Sequence, residues 1–379
     1  MKILVIPSWY PSKSYTNNGI FFREQAEAFK HSKHEVVVLS IEIPYRKAKK
    51  DYKYFVKNEH VENGIHIYRY VFPVGILHRF PKLYYSFLKI VGEFIFWKEF
   101  KKRGNYVIHA QSFGIGGYIG VCLKKRFNLR CIITEHSSKI LKKELNIVEK
   151  NVLKKCVVES NEFVCVSESL KIAVESLTGE NKKIKVFPNM VSNIFRYEKK
   201  GIDPFSIVSI GNLIQGKRMD LIIKGFCKAF SKEDNITLTI IGKGREYNSL
   251  NSIIKKENRG KQIVMTGELT RERVAEILKE SNVLALTSEY ETFGIVYIEG
   301  AASGNVIIGA HNGGADDIIT AENGVFIKDF TVESVSNAFK YVVTNYPQFN
   351  PCKISESTKS RFGECSFVKY YLKLFEEIN

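Results

Sequence analysis

Residues 288–304 read Ser288-Glu-Tyr-Glu-Thr-Phe-Gly-Ile-Val-Tyr-Ile-Glu-Gly-Ala-Ala-Ser-Gly304, with Glu291 and Glu299 eight positions apart around Phe293-Gly294. The run before it, residues 282–287, is apolar and bounded like a buried strand, and residues 295–302 followed by Gly304 have the form of a short helix closed by glycine. Glu291 then falls at the carboxyl end of a strand and Glu299 on the helix that follows. Ligands of open α/β sheets bind in that crevice. A helix starting near Phe293-Gly294 would aim its first backbone N–H groups, those of Ile295 and Val296, at a phosphate. A carboxylate on either side of such an anion site suits the hydroxyls of a sugar.

The chain has 379 residues, 44% of them hydrophobic, enough for two domains each with its own core. Its seven cysteines, at 122, 131, 156, 165, 227, 352 and 365, include no Cys-x-x-Cys pair, and several sit in apolar runs such as Phe163-Val-Cys-Val166. That is the usage of a reduced, cytoplasmic compartment, with neither a disulfide framework nor a zinc site. No histidine pair has zinc-ligand spacing either, so no metal is expected. The opening Met1-Lys-Ile-Leu-Val-Ile-Pro7 is too short an apolar run for a secretory signal. No stretch reaches the roughly 18 apolar residues that cross a bilayer.

Of 57 Lys and Arg and 40 Asp and Glu, 36 and 18 fall in the first 200 residues, so that part carries +18 and the remainder −1 of the net +17. A one-sided basic surface suits nucleic acid or the anionic leaflet of a membrane, where each basic residue contributes about 1 kcal/mol, and equally an ordinary solvated lysine-rich face. Residues 81–103, Pro-Lys-Leu-Tyr-Tyr-Ser-Phe-Leu-Lys-Ile-Val-Gly-Glu-Phe-Ile-Phe-Trp-Lys-Glu-Phe-Lys-Lys-Arg, predict an aromatic, amphipathic helix with Tyr84, Phe87, Leu88, Val91 and Ile95 on one face. Packing on the sheet is one reading of that helix. Phe96 and Trp97 broaden its apolar surface, however, and Arg46-Lys-Ala-Lys-Lys50 lies in the same part of the chain, so a peripheral membrane surface is the other.

Strand-like runs alternate with helix-like segments throughout. They fall at 2–6, 35–40, 106–109, 131–134 and 163–166, and again at 206–211, 236–241, 263–266, 283–287, 306–309 and 325–328. Strict alternation predicts parallel sheets covered on both faces, in two doubly wound α/β domains. The boundary is expected between Pro188 and Pro204, a polar stretch bracketed by prolines. This gives an N-terminal domain over residues 1–190, a C-terminal domain over 205–365 and a last helix within 366–379. Gly114-Ile-Gly-Gly-Tyr-Ile-Gly120 misses the Gly-x-Gly-x-x-Gly register and has no acidic residue about 20 positions on, so it is not a dinucleotide site.

The Glu291 and Glu299 pair, with Ser288 before it and Phe293-Gly294 inside it, resembles the Glu-x7-Glu signature of the retaining family 4 glycosyltransferases. The resemblance covers nearly the whole chain. It implies the GT-B fold, two Rossmann-like domains facing a central cleft. It also implies a nucleoside diphosphate sugar as donor, with no cofactor and no metal. Glu291 would contact the donor sugar and Glu299 the ribose hydroxyls. Ser209-Ile-Gly-Asn-Leu-Ile-Gln-Gly-Lys217 resembles the segment that opens the donor domain, with Lys217 in place of the lysine that neutralises the diphosphate. Cleaving a sugar–phosphate bond builds negative charge there, and a fixed cation stabilises it. Asn212 stands where many members carry arginine, so either Lys217 and Arg218 share the task or an amide suffices. Gly242-Lys-Gly244 and Gly267 fall at strand ends facing the same crevice, and the segment after Gly267 is implied to lie against the nucleobase. Gly313-Gly314 and Asn323-Gly-Val325 also match, with Asp317 where Glu is commoner.

Pro7-Ser-Trp-Tyr-Pro11 and Asn18-Gly-Ile-Phe-Phe-Arg-Glu-Gln25 are similar to the family's first loop, where Gly19 would let the backbone approach the diphosphate. Tyr106-Val-Ile-His-Ala-Gln111 resembles a strand that often ends His-x-His. Gln111 replaces the second histidine, leaving the sugar contact to His109, to the amide, or to His136 in Ile133-Thr-Glu-His-Ser137. Val186-Phe-Pro-Asn-Met190 and Phe195 match the interdomain segment, and the last helix is implied to cross back to the first domain. The family's chemistry implies front-side attack, with the departing phosphate helping to deprotonate the acceptor. A basic, aromatic first domain points to a glycan or lipid-linked glycan acceptor at the inner membrane face, as in surface-polysaccharide assembly. The rival readings are a non-catalytic GT-B partner or glycan-binding protein, and a sugar-nucleotide epimerase. Nucleic-acid binding rests on charge alone and is not expected.

Overall fold

The computed structural model describes residues 1–12, 18–44, 54–180 and 184–378. The basic run 46–50 lies outside the described residues. The chain forms two units, Met1–Pro188 with Phe367–Asn379, and Asn189–Ser366.

In the first unit the apolar runs become an eight-stranded sheet of β1 (Lys2–Pro7), β2 (Glu35–Glu42), β3 (Val56–Glu62), β4 (Ile65–Val71), β5 (Val107–Gln111), β6 (Arg130–Glu135), β7 (Glu162–Cys165) and β8 (Lys185–Val186). Their order is β3-β4-β2-β1-β5-β6-β7-β8. Helices α1 (Ile20–His31), α2 (Pro81–Glu99), α3 (Tyr118–Phe127), α4 (Ser138–Leu141), α5 (Ile147–Glu159) and α6 (Glu168–Thr178) connect them. β1 lies in the interior of the sheet, Leu4 facing Val37 on one side and Ile108 on the other. Its residues Ile3, Leu4, Val5 and Ile6 are all buried, as a parallel strand covered on both faces should be. The chain builds outward from β1 on one side and returns to β5 on the other. The carboxyl ends of β1 and β5 therefore flank a switch point, where such sheets bind ligands.

Two departures from the sequence reading have physical causes. Alternation is not strict, because β3 and β4 form an antiparallel hairpin at the sheet edge. Its turn is Asn63-Gly64, both with positive φ (50° and 76°), the conformation a two-residue turn needs to match strand twist. The buried face of α2 is Tyr85, Leu88, Gly92, Ile95 and Phe96, whereas Tyr84, Phe87 and Val91 are only half-buried. Ile119 of α3 sits directly over Gly92 and sets that seam.

The turn Ser112–Gly117 after β5 presses so closely on β1 that a Cβ at Gly116 would lie 2.1 Å from the carbonyl oxygen of Ile6. These glycines serve backbone packing. Helix α13 (Glu364–Glu377), the last of the chain, closes this unit and carries Phe367, Tyr371 and Phe375 in one i, i+4, i+8 row. Their rings meet Phe29 of α1 at 5.3, 6.2 and 5.8 Å, and Tyr370 stacks on Phe187 at 3.8 Å.

The second unit is a six-stranded sheet, parallel throughout, of β9 (Phe205–Ile210), β10 (Ile236–Ile241), β11 (Ile263–Gly267), β12 (Val283–Ala285), β13 (Val306–Gly309) and β14 (Gly324–Phe326). Its helices are α7 (Met219–Ala229), α8 (Tyr247–Lys256), α9 (Arg271–Glu280), α10 (Ile295–Ala302), α11 (Val332–Asn345) and α12 (Pro351–Phe362). The order β11-β10-β9-β12-β13-β14 puts the switch point between β9 and β12. Among the described residues, no helix is long and apolar enough to cross a membrane.

Candidate active site

β9 and β12 are neighbours, yet the chain leaves them toward opposite edges of the sheet, so their carboxyl ends frame a crevice that no crossover covers. After β9 comes the turn Gln215–Lys217 and then α7; after β12 a loop leads to α10. The two loops are tied by Glu289 N–H donating to the Gly216 carbonyl (2.9 Å) and Thr287 Oγ1 donating to that of Arg218 (2.9 Å). Across this tie the Lys217 ammonium donates to Glu291 Oε1. Both side chains keep some exposure, 24% and 17%, so the pair lies at the crevice surface. Arg218 has left-handed backbone (φ 49°) and pairs with Asp220 and Glu289, each at 3.3 Å. Lys217 is thus the cation that meets Glu291, and Arg218 is committed elsewhere. Asn212 is exposed in the loop after β9.

Gly294 starts α10 with φ 82°, and a Cβ there would lie 2.5 Å from the Tyr297 ring, so no other residue fits. No side chain caps this end. The Ile295 and Val296 amides therefore point out of the helix start with the positive end of its dipole behind them. The Phe293 ring is buried, 5.9 Å from Phe362. It anchors the loop, leaving only its backbone for a ligand. Asn312, which the sequence reading passed over, holds the same loop: Nδ2 donates to the Ser288 carbonyl (3.0 Å), and its own carbonyl accepts from Glu291 N–H (3.2 Å). The signal lay in its place just before Gly313-Gly314.

Glu299, one turn into α10, is 2% exposed. Its Oε1 accepts from Arg271 Nη1 at 2.5 Å, and the guanidinium lies 4.7 Å from the centre of the Phe195 ring. A carboxylate this deep requires such a partner. Arg271 was also missed; it opens α9, four residues after Gly267. Gly242 N–H donates to the Gly267 carbonyl (2.9 Å) and Gly211 N–H to that of Ile241 (3.0 Å), which keeps the ends of β9, β10 and β11 together.

At the switch point of the first unit lies a cavity of about 880 Å³, lined among others by Trp9, Glu42, Tyr84, Tyr85, Phe113 and Glu149. Burial pushes the Glu42 carboxyl up, against the pull of Arg69 at 2.6 Å. Gly19 starts α1 against the Trp9 ring, again with no side-chain cap.

The histidines require a correction. His109 is fully buried, its Nε2 2.8 Å from Thr134 Oγ1 and its ring 4.6 Å from that of Tyr371. Gln111 is buried too, its amide nitrogen donating to Gln25 Oε1 (3.0 Å) and its oxygen accepting from His136 Nε2 (2.8 Å). Both belong to the core. Of the three, only His136 approaches the surface, at 6% exposure between Phe21 and Phe22. The adjacent Glu135, unremarked in the sequence, accepts backbone N–H bonds from Phe113, His136 and Ser137 at 2.7, 2.8 and 2.6 Å. It thereby ties the turn after β5 to the turn after β6.

Burial lowers both His109 and His136 to about 3, so each is neutral in the folded unit. Below about pH 6.5 the unfolded chain takes up protons that the folded chain refuses. Stability from these residues is complete above that pH and falls toward pH 3, by about 1.4 kcal/mol per pH unit for each. The urea midpoint of the first unit should accordingly drop between pH 6.5 and 4.5, and drop less steeply in His109→Gln. Equal slopes in the two proteins would remove His109 as a source.

Residues 19–193 match the family model Glycosyltransferase Family 4, and residues 192–359 match Glycosyl transferases group 1. The phosphatidylinositol N-acetylglucosaminyltransferase GPI3 subunit of Saccharomyces cerevisiae is 23% identical over 301 residues, which span 76% of this chain and 65% of that subunit's length. The N-acetyl-alpha-D-glucosaminyl L-malate synthase of Bacillus anthracis is 23% identical over 84% of this chain and 81% of its own. Among solved structures, sucrose-phosphate synthase from Thermosynechococcus elongatus superposes over 100% of this chain and 98% of its own with a TM-score of 0.77 at 16% identity. Anabaena HepE in complex with UDP and glucose does so over 100% of both chains, with a TM-score of 0.74 at 13% identity. With the two models together running from residue 19 to residue 359 over two parallel-sheet units, the chain belongs to the group 1, family 4 glycosyltransferases and has their GT-B fold.

Proposed function

We propose that this protein moves a sugar from a nucleoside diphosphate sugar to an acceptor hydroxyl with retention at the anomeric carbon, the second unit holding the donor and the first the acceptor. The Lys217–Glu291 pair beside the uncapped start of α10 carries this reading. As the bond from the anomeric carbon to the phosphate oxygen breaks, Lys217 and the Ile295 and Val296 amides stabilise the charge that grows on the diphosphate. The acceptor oxygen bonds to that carbon on the same face, and its proton passes to the departing phosphate. Glu291 accepts hydrogen bonds from the sugar and Glu299 from the ribose. The scheme needs no metal or cofactor, because the ammonium supplies the positive charge.

The cavity of the first unit suits an acceptor glycan, with aromatic faces for the C–H faces of sugar rings and carboxylates for their hydroxyls. Of the histidines, His78 lines this cavity, whereas His136 lies behind its neighbour Ser137, which does line it. Phosphatidylinositol appears in the name of the yeast relative and L-malate in that of the Bacillus anthracis enzyme. We read the acceptor of this chain as a glycan or lipid-linked glycan, used in surface-polysaccharide assembly at the inner face of the cell membrane.

Thermal melting with UDP, GDP, ADP and CMP and their common sugar conjugates tests the donor half. A ligand at about 100 times its Kd stabilises by about 2.7 kcal/mol. One nucleotide should raise the Tm of the wild type and raise that of Glu299→Ala by clearly less, about 0.3–1.4 kcal/mol of stabilisation remaining at the same concentration. A folded sample that responds to none of them would overturn the transferase reading.

A further inference from the structure

The side of α2 turned away from its seam with α3 is apolar as well. Leu83, Ile90, Phe94 and Trp97 fall in one narrow stripe and are 58%, 66%, 56% and 56% exposed. Phe87, in the same stripe, stands edge-on to Phe72 (5.3 Å), and Phe72 meets the exposed Phe55 (5.0 Å). A helix that only packs on a sheet turns polar residues outward. This one exposes a contiguous row of large apolar side chains, which marks an interaction surface.

Charge identifies what covers it. Lys82 and Lys89 run along one edge of the stripe, Lys98 borders the other, and Lys101, Lys102 and Arg103 follow at the helix end, all exposed. Of the two acidic residues on α2, Glu93 is half-buried on the lysine edge, one turn from Lys89, and Glu99 is taken by Lys57 (2.7 Å) and Tyr70 (2.9 Å). A second copy of the chain would bring these cations against each other. Anionic headgroups over an acyl layer complement both the lysines and the stripe.

We propose that this face of α2 docks the protein on an anionic lipid bilayer, with Ile90, Phe94 and Trp97 at the acyl boundary and the flanking lysines over the headgroups. The docking does not depend on the transferase reading. Its consequence for the acceptor does: Pro81, Tyr84 and Tyr85 at the start of the same helix line the 880 Å³ cavity, so docking sets that cavity beside the layer in which a lipid-borne acceptor is anchored.

Sedimentation with vesicles of phosphatidylcholine alone, or mixed with phosphatidylserine, tests the surface without donor or acceptor. Wild type should pellet with the mixed vesicles and largely remain in solution with the neutral ones. Lys82→Ala/Lys89→Ala should weaken partitioning roughly 25-fold, about fivefold for each basic residue at ~1 kcal/mol. Ile90→Ser/Phe94→Ser/Trp97→Ser should abolish it, while Ile172→Ser, an exposed apolar site on α6, should leave it unchanged. Wild type that ignores anionic vesicles, or lysine and apolar variants that bind as wild type does, would overturn the proposal. So would a dimer by light scattering that the triple variant dissolves in a protein that binds no vesicle. Should the triple variant misfold, the lysine pair alone decides.

Discussion

Lys217→Ala is expected to lower kcat by about 10²–10³, the usual loss when one donor to a developing transition-state charge is removed. The argument is local. The turn Gln215–Lys217 is fixed by its tie to the β12 loop, and the ammonium already sits against Glu291. Little reorganisation is then needed when the diphosphate gains charge. Because both partners are partly exposed, losing the ion pair should change stability by no more than about 1 kcal/mol, and the defect should appear in turnover with the fold intact. Arginine should not restore the rate fully, since a planar fork does not reproduce a compact point charge. Steady-state assays with the donor identified by melting, with and without EDTA, give the check. Near-normal turnover in Lys217→Ala would take this residue out of the mechanism, and a rate lost on adding EDTA to wild type would put a metal in its place.

Glu299→Ala should show two separable losses. Donor affinity should fall roughly 10- to 150-fold, as expected when charged hydrogen bonds of about 1.5–3 kcal/mol are lost. Stability should also fall, by up to about 3 kcal/mol, because the Arg271 guanidinium, 14% exposed, would lose its ion pair with the Glu299 carboxylate. The double variant Glu299→Ala/Arg271→Leu tells the two apart: it should recover much of the stability and none of the affinity. Calorimetric titration of the nucleotide and urea denaturation read the two quantities. Unchanged nucleotide affinity in Glu299→Ala would end the ribose assignment, and unchanged stability would end the account of the buried pair.

Much of the architecture could be read from bounded apolar runs, because parallel strands buried on both faces leave such runs in the sequence. Strand β3, Val-Lys-Asn-Glu-His-Val-Glu, leaves none. Its place is fixed by the Asn63-Gly64 turn and by pairing with β4. Periodicity identified α2 as a helix but misjudged its buried face, since both sides are apolar and only contact with α3 distinguishes them. At the site, Glu291, Gly294 and Glu299 could be placed together because their spacing follows from one strand-loop-helix unit, whereas Lys217, in the turn after β9, was linked to them only by the family resemblance. The fate of His109 was not. It depends on Thr134, which is 2.8 Å from the hydroxyl of Tyr371, 237 positions further along the chain. Arg271 escaped for the same reason, since its pairing with Glu299 spans 28 residues and exists only once the sheet has formed.

Helix α13 gives the last word on how this molecule comes into being. The rings of Phe367, Tyr371 and Phe375 belong to the unit that begins at Met1, yet the ribosome makes them after the whole of the second unit. At about 5–20 residues per second, roughly 10–40 s separate the emergence of Pro188 from that of α13. The second unit can close as it is made, while the first waits with Phe29 uncovered. The half of the molecule synthesised first is therefore the half finished last.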